Sequence, residues 1–211
     1  MCMEEIAAAV CEGDDDNIVD LCRMALEGGA TPSCIIKEGL TAGMMRAGEF
    51  FDSGEYFLPE MLISSMTLQK GLDYLVGCLE KESGFWRGCM VIGTVEGDTH
   101  DIGKNLVGAM LQAAGFRVID LGIDVSAERF IESVGIYKPD IIAMSALLST
   151  TMMNMETVIR RLSDRGLRDQ VKVMIGGAVV NQRFADRIGA DGYSENASQA
   201  VLLAERLICA S

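Results

Sequence analysis

From Ile6 to Leu79 the apolar residues recur at helical spacing. Ile18, Leu21, Cys22 and Ala25 fall on one stripe, and Ile63, Met66, Leu72, Leu75 and Val76 fall on another. The pattern predicts four helices, over Glu4 to Glu12, Asp15 to Leu26, Pro32 to Phe50 and Leu58 to Lys81. Gly28 and Gly29 can leave the right-handed helix, and Thr31 before Pro32 sets a capping hydroxyl ahead of a first-turn proline. The connection from Phe51 to Pro59 carries apolar and aromatic side chains that are costly to leave in water, so something should cover it.

The helical period breaks around Ser83 to Gly88, and short apolar runs then alternate with amphipathic stretches, as in βαβ units built on a parallel sheet. Strands are expected at Cys89 to Val95, Arg117 to Leu121, Ile141 to Ser145, Val171 to Ile175 and near Asp191 to Tyr193. Helices are expected at Ile102 to Ala114, Ala127 to Tyr137, Met152 to Arg165, Gln182 to Ile188 and Ala197 to Ile208, with Ser126 as an N-cap and Gly115 and Gly166 as helix ends. The fold class is therefore α + α/β. A four-helix bundle over residues 1–84 precedes a flavodoxin-like, Rossmann-type five-stranded parallel sheet with helices on both faces over residues 85–211.

Charge and composition narrow the partners. A formal net charge of −13 opposes docking on phosphate backbones or anionic lipid. No stretch approaches the roughly 20 apolar residues of a membrane span, and the start Met1-Cys2-Met3-Glu4-Glu5 lacks a basic leader. The expected location is the cytoplasm. Seven scattered cysteines with one histidine supply neither a zinc ligand set nor a disulfide framework, and read as buried, reduced thiols.

In an open α/β sheet, ligands bind beyond the carboxyl ends of the strands, where the strand order reverses. The unusual residues gather there. After the first strand comes Gly93-Thr-Val-Glu-Gly97-Asp98-Thr99-His100-Asp101-Ile102-Gly103-Lys104-Asn105; after the third, Ser145-Ala-Leu147-Leu-Ser149-Thr150-Thr151; after the fourth, Gly176-Gly177. A triphosphate loop is disfavoured, because Gly97 sits one place too early for it and Asn105 lacks the magnesium-binding hydroxyl. The glycines are also spaced too widely for a dinucleotide fingerprint. Asp98, two residues before His100, can accept from one ring nitrogen and leave the other lone pair for a metal. Asp98 could equally cap the helix from Ile102, and the glycine pair could be an ordinary strand-to-helix turn.

The set Asp98-x-His100-x-x-Gly103, Ser145-x-Leu147 and Gly176-Gly177, in that order and at these separations, resembles the fingerprint of corrinoid-binding domains. The helical half, with Phe57-Leu58-Pro59, is similar to the helical cap of cobalamin-dependent methionine synthase and of the corrinoid subunits of methyltransferase systems. The resemblance implies a corrinoid (cobalamin, methylcobalamin) bound base-off, with His100 as lower axial cobalt ligand. Asp98 would be its carboxylate partner, with Thr151 standing where methionine synthase-like domains have a serine. It further implies that the loop Thr99, His100, Asp101, Ile102 and Gly103 contacts the cofactor, and that Gly93, Gly97, Gly176 and Gly177 make room for its nucleotide tail. Ser145, Leu147 and Ser149 would line that tail, Asn196 and Ala197 would lie at its far end, and Phe51 and Leu58 would cover the upper corrin face.

The function so implied is a methyl carrier that is not catalytic alone. Cobalt takes a methyl group through a substrate-specific methyltransferase, by resemblance a barrel enzyme, and passes it to a second methyltransferase that uses a thiol or tetrahydrofolate acceptor; a reductive activase is a further partner. The chain is too short to contain the barrel, which takes roughly 250 residues. A corrinoid-dependent sensor and a mutase subunit are the alternatives. The lack of a basic recognition helix weighs against the first, and the sequence of the helical half against the second.

Overall fold

The computed structural model describes residues 3–79 and 86–209. The chain divides into two compact units, Met1–Arg87 with Gln112–Gly115, and Gly88–Leu111 with Phe116–Ser211. The break read at Ser83, and the expected helix end at Lys81, lie outside the described residues.

The first unit packs α1 (Met3–Glu12), α2 (Ile18–Glu27), a rod, and α5 (Leu58–Leu79) around Ile6, Val10, Ile18, Ile36, Leu40 and Leu68. The rod runs from α3 (Pro32–Cys34) through a π-helical stretch, Ile35–Thr41, into α4 (Ala42–Ser53). Thr31 caps it as expected, its hydroxyl accepting the Cys34 N–H at 3.2 Å. The expectation of one regular helix from Pro32 missed the π register, in which each turn takes an extra residue. Gly39 and Gly43 are small for a packing reason. A Cβ on Gly43 would lie 2.4 Å from the Ala7 carbonyl, and one on Gly39 would lie 2.8 Å from Ile6 Cγ2. Helix α2 begins three residues later than the expected Asp15. The Asp14 carboxylate accepts the Asn17 N–H at 3.3 Å and its side-chain amide at 2.8 Å, which holds the preceding residues in a turn. The aromatic connection is partly covered within the unit. The Tyr56 ring lies 5.1 Å from Phe50 and its hydroxyl donates to the Cys11 carbonyl at 3.2 Å, while Phe57 stays exposed.

The second unit contains β1 (Gly88–Thr94), β2 (Phe116–Asp120), β3 (Ile141–Ser145), β4 (Lys172–Gly176) and β5 (Gly192–Ser194), all parallel in the order β2-β1-β3-β4-β5. Between and after them run α6 (Ile102–Ala113), α7 (Ala127–Tyr137), α8 (Met153–Asp164), α9 (Gln182–Ile188) and α10 (Ala197–Cys209). These bounds meet the sequence expectation to within a residue. The reason is that caps and apolar runs coincide: the Ser126 hydroxyl accepts the Arg129 N–H, and Gly115 and Gly166 adopt positive φ.

Alternation along the strands fills both faces. Val91, Ile142, Met144, Val173 and Ile175 share one core cluster with Phe130, Val134, Val158 and Leu162 from α7 and α8. Their neighbours in the strands, Met90, Ile92, Ile141, Ala143 and Met174, point the other way and are buried too. Each such side chain contributes about 1.5–3 kcal/mol of apolar burial. Among the described residues, no helix is long and apolar enough to cross a membrane.

Burial also quiets the thiols. Cys22 has no exposed surface, and burial pushes its pKa up to about 11. In the native protein, iodoacetamide should label the exposed Cys209 and spare Cys22 until denaturant unfolds the helical unit. Equal labelling rates at the two thiols, read by peptide mass spectrometry, would contradict this packing.

Candidate functional site

The strand order reverses between β1 and β3, so the loops that leave their carboxyl ends separate and leave a crevice there. Asp98, four residues beyond β1, is the anchor of this region. Its carboxylate is fully buried and meets five donors. Oδ2 accepts the N–H groups of Leu147 and Leu148, at 2.8 and 3.2 Å, and the Thr151 hydroxyl at 2.7 Å. Oδ1 accepts the His100 N–H at 3.1 Å and faces ring Nδ1 at 2.8 Å. Burial opposes ionisation, but the bonds from Thr151, Leu147 and His100 outweigh it and hold the carboxyl well below the usual carboxylate range.

An ionised oxygen at hydrogen-bond distance from Nδ1 requires the proton to sit on Nδ1, so the lone pair of the neutral ring is on Nε2. Half of the His100 side chain is exposed. The alternative use of Asp98 as a cap for α6 is not the one adopted, since its carboxylate is committed to β3's loop and to His100. Thr151 joins the pair directly. The methyl group that distinguishes it from serine lies beneath Gly97, where an added Cβ would stand 3.4 Å from Thr151 Cγ2. That is an ordinary contact, so the left-handed φ of +80 rather than the space taken by the threonine accounts for glycine at position 97.

The turn that carries His100 is tied at several points rather than loose. The Thr94 hydroxyl donates to the His100 carbonyl at 3.1 Å, the Asn154 amide donates to the Glu96 carbonyl at 2.7 Å, and Asp124 accepts the Gly97 N–H at 2.6 Å. Sequence reading did not single out Thr94, Asn154 or Asp124 as supports of this turn. Their partners are backbone atoms brought near by the fold, and only the αL-tolerant Asp after Ile123 carried a local signal.

The other expected site residues divide into those the fold already uses and those left open. A Cβ on Gly93 would lie 2.9 Å from the Phe130 ring, so its smallness serves the core. Gly177, at φ +120, backs onto the Ala146 carbonyl, and Gly176 approaches the Ser194 carbonyl. Asn196 caps α10 by accepting the Gln199 N–H at 2.9 Å, and Ala197 is the first, buried residue of that helix. Asp101 accepts the Asn105 amide at 3.1 Å. Ser145 ends β3 opposite Thr94 and Gly176. By contrast Thr99, Ile102, Gly103, Leu147 and Ser149 are exposed, and a Cβ on Gly103 would meet nothing within 4 Å. Phe51 on α4 and Leu58 on α5 belong to the helical unit and are partly exposed there.

This donor set fits a metal that brings its own ring of ligands. Among the described residues, no three His, Cys, Asp or Glu side chains cluster to hold an ion; the site offers one oriented imidazole, with exposed Ile102, Leu147 and Leu148 on the loops around it, so a metal held here would have to bring its other ligands with it.

Comparison with known proteins agrees. The chain matches the family description "B12 binding domain" over residues 3–76 and again over 88–202. It is 43% identical over 204 residues to trimethylamine corrinoid protein 2 of Methanosarcina mazei, covering 94% of both chains. It is 44% identical over 207 residues to the dimethylamine corrinoid protein of Methanosarcina barkeri, covering 98% of this chain and 97% of that one. A chain of the methanol:cobalamin methyltransferase complex MtaBC from Methanosarcina barkeri superposes with a TM-score of 0.85 at 34% identity, over 98% of this chain and 79% of that one. The shared fold and the two family matches place the chain in the B12-binding corrinoid protein family.

Proposed function

We propose that this chain is the methyl-carrying corrinoid subunit of a multi-component methyltransferase system, with His100 as the lower axial ligand and the cofactor's own base displaced. The observation that carries the reading is Asp98, fully buried and saturated by donors, with one oxygen reserved for His100 Nδ1. Bound there, the corrinoid supplies a cobalt centre able to accept a methyl group and give it up. His100 would present Nε2 to the metal. Asp98 fixes the tautomer and ring plane, and Thr151 holds the far carboxylate oxygen in place. Ser145 at the end of β3 and Ser149 in the loop beyond it would hydrogen-bond a nucleotide tail, Gly176 at the end of β4 would make room for it, and Asn196 and Ala197 would lie at its far end.

In this reading the chain is not catalytic alone. Its partners in this reading are a barrel-type, substrate-specific methyltransferase, a second methyltransferase that delivers the group to a thiol or to tetrahydrofolate, and a reductive activase, all cytoplasmic. Reconstitution with hydroxocobalamin tests the centre. The loaded protein should show a base-off, histidine-ligated spectrum, and His100→Ala should lose that ligation. An unchanged spectrum in the variant would remove His100 from the site.

A further inference from the structure

We infer that Lys104 and Asp124 are positioning residues for His100, gripping its turn at both ends from the carboxyl end of β2. This deepens the reading of His100 as a ligand and rests on it. Asp124 makes the upstream grip. Its Oδ1 accepts the Gly97 N–H at 2.6 Å, and its own N–H donates to the Asp98 carbonyl at 3.0 Å. The residue has φ +52, a conformation in which Asp and Asn are the best-tolerated residues after glycine. Around it the segment runs on beside β1: Thr94 N–H donates to Gly122 O, Val125 N–H donates to Thr94 O, and Val95 bridges Val125.

Lys104 makes the downstream grip. Its ammonium is buried, at 3% residue exposure, and donates to the Asp120 carboxylate and to Asn105 Oδ1. The Asn105 amide in turn donates to Asp101, the residue after His100, and Asp120 Oδ1 accepts the Gly122 N–H at 2.8 Å. One chain of bonds therefore runs from Asp101 through Asn105, Lys104 and Asp120 to Gly122. A desolvated ammonium is costly unless paired, so this lysine ties the first turn of α6 to the end of β2. Between the two grips lie Thr99 and His100. An imidazole mounted this way returns to one orientation whenever it lets go of a ligand.

The single histidine of the chain makes the test direct, because isotope-labelled histidine gives one imidazole in the nuclear magnetic resonance spectrum. In the full-length protein without corrinoid, the neutral ring should be the Nδ1–H tautomer. Asp124→Ala and Lys104→Met should each raise the Nε2–H form about five-fold. Asp124→Asn keeps an acceptor oxygen and tolerates the left-handed backbone, so it should restore the wild-type spectrum. An unchanged tautomer in Asp124→Ala and Lys104→Met overturns the inference, as does failure of Asp124→Asn to restore it. Should Lys104→Met not fold, the exposed Asp124 pair decides alone. Since the readout needs no cofactor, it is independent of the ligation test. Cobalt ligation that survives His100→Ala sinks the functional reading and leaves the tautomer result standing.

Discussion

Replacing Asp98 with asparagine should give a folded protein whose imidazole holds its proton on the wrong nitrogen. Leu147 and Leu148 N–H and the Thr151 hydroxyl all donate to one carboxylate oxygen, so the asparagine carbonyl must take that place. Its NH2 then faces His100 Nδ1, which can only accept, and the ring proton moves to Nε2. Loss of the charge weakens the remaining bonds by about 2 kcal/mol in all. Asp98→Ala is harsher, because it strands buried donors with no acceptor, and should cost about 3–5 kcal/mol. Urea denaturation should therefore rank wild type above Asp98→Asn above Asp98→Ala, while both variants lose histidine ligation of added hydroxocobalamin. A wild-type unfolding midpoint in Asp98→Ala would mean that the carboxylate is not the anchor its contacts indicate.

The two variants separate roles that the sequence joined in one motif. The Asp98–His100 hydrogen bond was legible because two residues of separation let the carboxylate reach the ring, although a helix cap was an equal reading of the same residue. The sheet was legible too, since the apolar runs of its first four strands alternate with helical stretches whose ends carry local signals, such as the Ser126 cap. What stayed hidden is cross-chain. That Asp98 also pins the loop after β3, fifty positions away, depends on the β1–β3 pairing. The π register of Ile35–Thr41 was invisible for a similar reason. The stretch packs closely against α1 at Gly39, and periodicity over one segment carries no record of that approach. The glycines carry a second constraint that the sequence did not show. The space that a side chain on Gly93 or Gly177 would need is occupied by Phe130 and by the Ala146 backbone.

That last point makes Gly177→Ala the other substitution with a large expected effect. A Cβ there would stand 2.0 Å from the Ala146 carbonyl oxygen, a backbone atom, and the residue's φ of +120 is one that side chains rarely adopt. Relief by moving Ala146 is blocked, because its N–H donates to the Gly176 carbonyl and the next residue, Leu147, donates to Asp98. Strain at the β4 end is thereby passed to the carboxylate behind His100. The expected loss is about 4 kcal/mol or more, seen as a collapse of the soluble yield or of the urea midpoint. Gly103→Ala is the matched comparison: its Cβ would meet open space at the start of α6, where alanine is the better helix former, so stability should stay level or rise by up to about 1 kcal/mol. If Gly103→Ala folds like wild type but retains less corrinoid after gel filtration, Gly103 is reserved for close approach of the ligand while Gly177 is reserved for the chain itself. Equal retention would assign Gly103 to neither.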